Sequence, residues 1–369
     1  MKNNEIYMIY GTDYKSMTID LLEAVNLKER IPGAQCRIGI KPNLVSPSEA
    51  SWGATTHPEV VAGIIAYLQK YGFKNLVMLE GSWVGDRTSE AVYVCGYDRL
   101  SQETGVPFID TQKDTAVACD CRGMELNICR SALELDFLIN VPVMKGHCQT
   151  KITCALKNMK GLIPNKEKRH FHTMGLHKPI AHLNTKLHQD FVVVDNICGD
   201  WDFEDGGNPV IMNRIMAVTD PVLCDAYVCD LMGYAVDDVP YVRMAEQMGV
   251  GSADLGRLDV IALNQSSMEI KTPETKKILE LKDAVEEVDS CSACYGYLIP
   301  ALNQLKEEGL LEKLEDKICI GQGYRERSGI LGIGNCTAKF KYCLRGCPPT
   351  ETEIYKFLKA HIKENKLSL

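Results

Sequence analysis

Residues 36–42 read Cys-Arg-Ile-Gly-Ile-Lys-Pro, and residues 136–142 read Asp-Phe-Leu-Ile-Asn-Val-Pro. Each is a short apolar run ended by proline, too short for a core helix and of the composition of a buried strand. Outward from them the pattern alternates. Thr55-Thr56-His57-Pro58-Glu59 opens a helix running to about residue 71, with threonine at the cap, proline in the first turn and Gly72 just past the end. Residues 75–80 and 106–110 read as strands around a helix over 89–104, followed by a hairpin over 117–130 and a helix over 149–160. An amphipathic helix is expected over 16–30. Strands over 191–195, 211–218 and 259–264 complete the series, with helices over 220–232 and 240–248. Strands separated by such helices predict βαβ units, hence an α/β fold with a mostly parallel sheet flanked by helices.

A chain of 369 residues is long for one core. Composition shifts near residue 270, where 271–289 is charged and reads as a helical connector. Beyond it stand six cysteines, from Cys291 to Cys347, and a closing helix over 350–364. Two domains are expected: an α/β domain over 1–268 and a small cysteine-rich α/β domain over 269–369. The net charge of −8 argues against nucleic acid as a partner. No apolar run reaches the length of a membrane span, and the N-terminus lacks an apolar signal core. A cytoplasmic location is expected.

Sixteen cysteines in a chain without a signal core point to metal ligation or burial rather than a disulfide framework. Cys36, Cys95, Cys129, Cys224 and Cys229 stand singly in apolar surroundings and read as small core residues. The C-terminal set differs. Cys291-Ser-Ala-Cys294 lets two thiolates reach one metal or cluster across a turn, at a helix start where free N–H groups favour thiolates. Asn335-Cys336 and Gly346-Cys347-Pro348-Pro349 follow, the latter resembling the Cys-Pro endings of ferredoxin-type ligand runs. The expected ligands are Cys291, Cys294, Cys336 and Cys347, with Cys343 and Cys319 in reserve. An iron–sulfur cluster of the [4Fe-4S] type is the expected cofactor, and zinc the lesser alternative.

In the large domain, Lys41-Pro42-Asn43 and Lys145-Gly146-His147 each follow a strand, at the edge where open α/β sheets bind ligands. Lys41, Asn43, His147, Lys151, Lys157 and Asn158 are the candidate site, expected to share one cleft with an anionic small molecule. His170, His172 and His177 offer imidazoles to a metal or a solvated polar loop. His57 reads as a helix-cap neighbour, Asp220 as an N-cap before Pro221, and Asp195 at a strand end as a site candidate. No phosphate-binding glycine loop is present, so a nucleotide cofactor is not expected.

Lys41-Pro42-Asn43, Thr56-His57-Pro58, Lys145-Gly146-His147, Lys157-Asn158-Met159-Lys160-Gly161 and Thr219-Asp220-Pro221 together resemble the domain of unknown function 362 family, over roughly residues 35–265. The resemblance implies the same α/β fold, association with ferredoxin-type modules and an anaerobic setting. The expectation is thus an iron–sulfur redox protein of anaerobic metabolism that passes electrons to a substrate or redox partner at a Lys/His cleft. The competing classes are a non-redox isomerase or lyase with a structural metal, and an anion-binding partner protein.

Overall fold

The computed structural model describes residues 1–266 and 281–367. It forms two compact units, Met1–Lys168 with Leu176–Pro273, and Arg169–Gly175 with Glu274–Leu369. The expected boundary at 268/269 lies outside the described residues, as does the first part of the expected connector. The grouping of Arg169–Gly175 with the cysteine-rich unit is new to the structure.

In the first unit, strands β1 (Glu5–Tyr10), β2 (Ile38–Pro42), β3 (Leu76–Glu80) and β4 (Phe108–Asp110) precede a hairpin, β5 (Ala116–Asp120) and β6 (Glu125–Cys129). Then come β7 (Phe137–Val141), a second hairpin of β8 (Lys145–His147) and β9 (Lys151–Thr153), and β10 (Phe191–Asp200), β11 (Pro209–Val218) and β12 (Asp259–Ala262). Eight of these make one sheet in the order β12-β1-β11-β10-β7-β2-β3-β4. Only the two pairs made by β11 are antiparallel, so the sheet is mostly parallel, as expected.

β2, β3 and β7 are buried along their whole length because helices cover both faces. The helices Tyr14–Ala24 and Pro58–Lys70 lay Leu21, Leu22, Ile64, Ile65 and Leu68 onto Ile38, Ile40, Met78 and Ile139. Their close approach depends on Gly63, where an added Cβ would sit 2.6 Å from the Thr18 side chain and 2.7 Å from the Lys15 carbonyl. No described helix is long and apolar enough to cross a membrane.

Four expectations change. The helix expected over 16–30 ends at Ala24, and Asn26 at φ of 52° separates it from a short turn over Leu27–Arg30. β1 is absent from the sequence reading, although Asn3-Asn4 before it and Gly11 after it are turn residues. The helix expected over 89–104 is two, Thr88–Val94 and Tyr97–Thr104, broken at Gly96 with φ of 76°. The helix expected over 149–160 starts only at Ala155, because Lys151–Thr153 pairs with Lys145–His147.

In the second unit, β13 (Val285–Glu287), β14 (Ile318–Ile320), β15 (Leu331–Ile333) and β16 (Tyr342–Leu344) form a separate all-parallel sheet in sequence order. β13 replaces part of the expected helical connector. The helices Ser292–Glu307 and Glu351–Leu367 belong to the same unit.

Candidate functional site

The carboxyl ends of β2, β3 and β7 share one edge, since the strands are parallel and in register. Lys41 ends β2 and is completely buried; its ammonium is hydrogen-bonded to the Glu80 carboxylate at the end of β3 and donates to Pro42 O at 3.0 Å. Burial pulls Lys41 down and pushes Glu80 up, and the partner's charge opposes each. Lys168 adds a second amine, donating to Gly81 O and Ser82 O at 2.9 and 2.7 Å, and burial takes it down to about 8. Gly161 leaves room for Glu80: a Cβ there would lie 2.0 Å from its carboxylate.

A second carboxylate, Glu204, gathers the next group. Lys157 Nζ lies 2.6 Å from Glu204 Oε1 and 3.0 Å from Thr153 Oγ1. Lys145 Nζ donates to Ala54 O at 2.6 Å and Glu204 O at 2.7 Å, and burial lowers it to about 7. His147 Nε2 lies 2.8 Å from Glu204 Oε2, yet neither atom completes a hydrogen bond of good angle. His147 Nδ1 accepts the backbone N–H groups of Gln149 and Thr150, both at 3.0 Å. The ring is therefore the Nε2–H tautomer facing the carboxylate, and burial pulls it down to about 3 against the charge of Glu204. Burial opposes the charge on Glu204, but His147 and Lys157 hold its carboxyl well below the usual range.

The residues expected in one cleft thus fall into separate groups. Lys41 pairs with Glu80, while His147 and Lys157 meet at Glu204. Lys151, at φ 66°, instead reaches Asp238 at 2.8 Å on a more exposed surface. The β8–β9 hairpin causes this, because it turns Lys151 away from the helix that carries Lys157. Asn158 donates to Asn140 Oδ1 at 2.7 Å in a buried amide network, and the backbone N–H of Asn43 donates to Thr56 Oγ1 at 2.8 Å. Sequence reasoning missed Glu80 and Glu204, whose charges meet those of the lysines. In the histidine run, half-buried His177 stacks on Tyr241 at 5.7 Å and is pulled down to about 4 by burial, while His172 Nε2 lies 3.4 Å from Ser292 N. His57 turns its ring to Asp195 Oδ2, 2.8 Å away, rather than to its helix.

In the second unit, Cys291 is the N-cap of the helix Ser292–Glu307 and Cys294 lies in its first turn. Cys336 is in the turn Asn335–Thr337, and Cys347 precedes Pro348. Burial first, and then the charges of Cys291, Cys347 and Cys336, push the Cys294 thiol up. This reverses the lowering expected from the helix start, because neighbouring thiols and desolvation outweigh the helix dipole. The other three expected ligands are thus the charges that act on Cys294. Cys343 is held otherwise, with Thr337 Oγ1 at 3.5 Å and Gly334 O at 3.7 Å, and Cys319 interacts with Tyr324. Gly334, at φ 92°, forms a cradle: an added Cβ would stand 3.8 Å from Cys294 Sγ. Asn335 N donates to Gly346 O at 2.9 Å, tying the Cys336 turn to the Cys347 loop.

Residues 38–230, more than half of the chain, match the family model described as Domain of unknown function (DUF362). The chain belongs to this family. The DUF362 segment runs from β2 through the helix Pro221–Leu231, so it holds the Glu80 and Glu204 groups and stops short of the cysteine set. A thylakoid-associated protein of Synechocystis sp. is 23% identical over 221 residues, 58% of this chain and 68% of that protein. Among solved structures, the lactate racemase apoprotein of Thermoanaerobacterium thermosaccharolyticum is similar with a TM-score of 0.42 and 15% identity, covering 61% of this chain and 56% of that one. A Thermotoga maritima protein follows at a TM-score of 0.39 and 14% identity, covering 60% of each chain. The DUF362 chain therefore spans less than two thirds of either solved relative.

Donor groups that can take a metal are present. Among the described residues, His147–Cys148–Glu204 and Cys154–Cys224–Asp225 each bring their ligand atoms within 4.8 Å of one another. The first suits a metal poorly, since Nδ1 of His147 faces two donors and Nε2 keeps the proton. In the second, Asp225 caps a helical turn by accepting Ala155 N and Leu156 N at 2.7 and 3.1 Å.

Proposed function

We propose that this protein is an iron–sulfur electron-transfer protein of anaerobic metabolism, with Cys291, Cys294, Cys336 and Cys347 holding a [4Fe-4S] cluster. The observation that carries this is that the charges of Cys291, Cys347 and Cys336 all act on the Cys294 thiol. Thiolates select zinc or iron–sulfur centres, and the Cys347-Pro348 ending, which resembles ferredoxin-type ligand runs, favours the cluster. Gly334 supports the same reading, because it leaves the space beside Cys294 Sγ free of a side chain. When bound, such a cluster supplies one-electron transfer. The protein's own part is to hold four thiolates, three of them half-buried and Cys347 exposed. The partner in this reading is a redox protein; an anionic small molecule is less favoured, since Glu80 and Glu204 already meet the buried lysines.

Iron and acid-labile sulfide analysis after anaerobic reconstitution tests this. About four of each per chain, with a brown protein, is the expected result. A colourless protein with stoichiometric zinc would overturn it.

A further inference from the structure

β10 carries Asp195-Asn-Ile-Cys198. In a regular strand, side chains three apart face opposite sides of the sheet. Here the register against β11 shifts between Asn196 and Cys198, where two steps along β10 face three along β11 and Asn213 has φ of 47°. His57, the residue before the helix Pro58–Lys70, stands between them. Its Nδ1 is 2.8 Å from Asp195 Oδ2, and its Nε2 is 3.6 Å from Cys198 Sγ. The carboxylate is fixed at both oxygens, by the His57 backbone N–H on Oδ2 at 2.7 Å and the Ile197 N–H on Oδ1 at 3.1 Å. The Tyr14 ring packs edge-on against the imidazole at 5.4 Å, and Cys198 Sγ has one further partner, Ala50 O at 3.3 Å. Burial opposes a charge on His57, but Asp195 outweighs it and raises the ring to about 10.

This group opens on a cleft of about 630 Å³ within the first unit, a size suited to a small molecule. Its walls include Tyr14, Pro58, Val94, Ile197, Pro209 and Ile211, with Glu49, Glu59 and Arg99 as further charges. Val94 and Ile211 are 42% and 58% exposed, an unusual degree for such residues that a ligand would cover. A thiol facing an imidazole that a carboxylate orients is how cysteine nucleophiles are activated.

We propose that Cys198 and His57, positioned by Asp195, form an acyl-transfer site for activated esters or thioesters with a small apolar acyl group. The sulfur attacks the carbonyl carbon, the new C–S bond forms as the bond to the leaving oxygen or sulfur breaks, and the thiol proton passes through His57 Nε2 to the leaving group. Water then attacks the acyl carbon and gives a proton to His57. The C–S bond breaks, the sulfur recovers that proton, and the carboxylic acid departs. Asp195 holds Nδ1–H throughout.

The site is independent of the cluster, and the full-length protein prepared anaerobically tests it with p-nitrophenyl butyrate. The expected result is p-nitrophenolate release with a butyryl adduct mapped to Cys198 by peptide mass. Cys198→Ala abolishes the adduct. His57→Gln slows acylation at least 100-fold at unchanged circular dichroism, and Cys36→Ala, outside the cleft, has no effect. Asp195→Asn moves the pH profile of acylation to lower pH, which a purely structural role would not do; the groups facing His57 are Tyr14, Asp195 and Cys198. No adduct on the folded wild-type protein, an adduct elsewhere, or an unchanged rate in His57→Gln each overturns the proposal.

Discussion

Glu204 is a single carboxylate holding a buried ammonium in place. Glu204→Gln leaves Lys157 without its charge partner in a buried site, where breaking an ion pair costs ~3–5 kcal/mol. Urea unfolding at pH 7 should show that loss, and Lys157→Met in the same background should recover part of it. The sign with pH follows from the depressed carboxyl. Glu204 stabilises above the unfolded pKa of ~4.3, and its contribution fades only as acid approaches the folded value below that. Lys145 works in the opposite direction. Its folded value of about 7 lies below the unfolded one, so the unfolded chain binds more protons above pH 7 and stability rises with pH. The limit is ~1.4 kcal/mol per pH unit, and His57, raised to about 10, contributes a slope of opposite sign over the same range, so the effect of Lys145 is read as a difference between proteins. Lys145→Met should lower the slope of stability against pH between pH 7 and 8 relative to the wild type; an unaltered slope would mean the amine is not neutralised by burial. At this scale the sequence revealed the cations and hid their partners. Lys41 and Lys157 sit in recognisable motifs, but Glu80 and Glu204 lie 39 and 47 residues away from them and in no motif at all.

Helix starts were readable because their signals are local. Asp220 before Pro221 accepts from Val222 N and Leu223 N at 2.8 and 3.1 Å, and it also takes Ser252 N at 2.8 Å, which no local pattern announces. Asp13 caps the helix Tyr14–Ala24 through Ser16 N at 3.1 Å and is exposed. Asp220→Ala should therefore cost ~2 kcal/mol and Asp13→Ala only ~0.5–1 kcal/mol, measured by denaturant midpoints. Equal losses would show that the bond to Ser252 contributes nothing. The elements that escaped notice are those fixed by distant pairing. β9 is three residues long and exists because β8 lies beside it, and the extra residue of β11 appears only against β10. Alternation along one segment carries no record of either.

Across the whole molecule, the division into a large sheet and a cysteine unit follows composition, while its outline does not, since Arg169–Gly175 is borrowed from the middle of the chain. The second unit rests on four three-residue strands, a small framework that cofactor binding can stabilise strongly. Cys294→Ser should lower one calorimetric transition and leave the other in place. A loss of 1 kcal/mol moves the midpoint of a domain of this size by ~4–8 °C, so a shift of ~10 °C or more is expected on cluster loss. A uniform shift of a single transition would argue against separable units. The large sheet raises a different matter, that of its own synthesis. β1 leaves the ribosome well before either of its neighbours, β11 and β12, which come from the far end of the first unit. At ~5–20 residues per second, the roughly two hundred residues between β1 and β11 take ~10–40 s to be translated. Through that interval the nascent chain carries the run Glu-Ile-Tyr-Met-Ile-Tyr with neither edge paired, a segment prone to aggregate and a natural client for a chaperone until its partners are made.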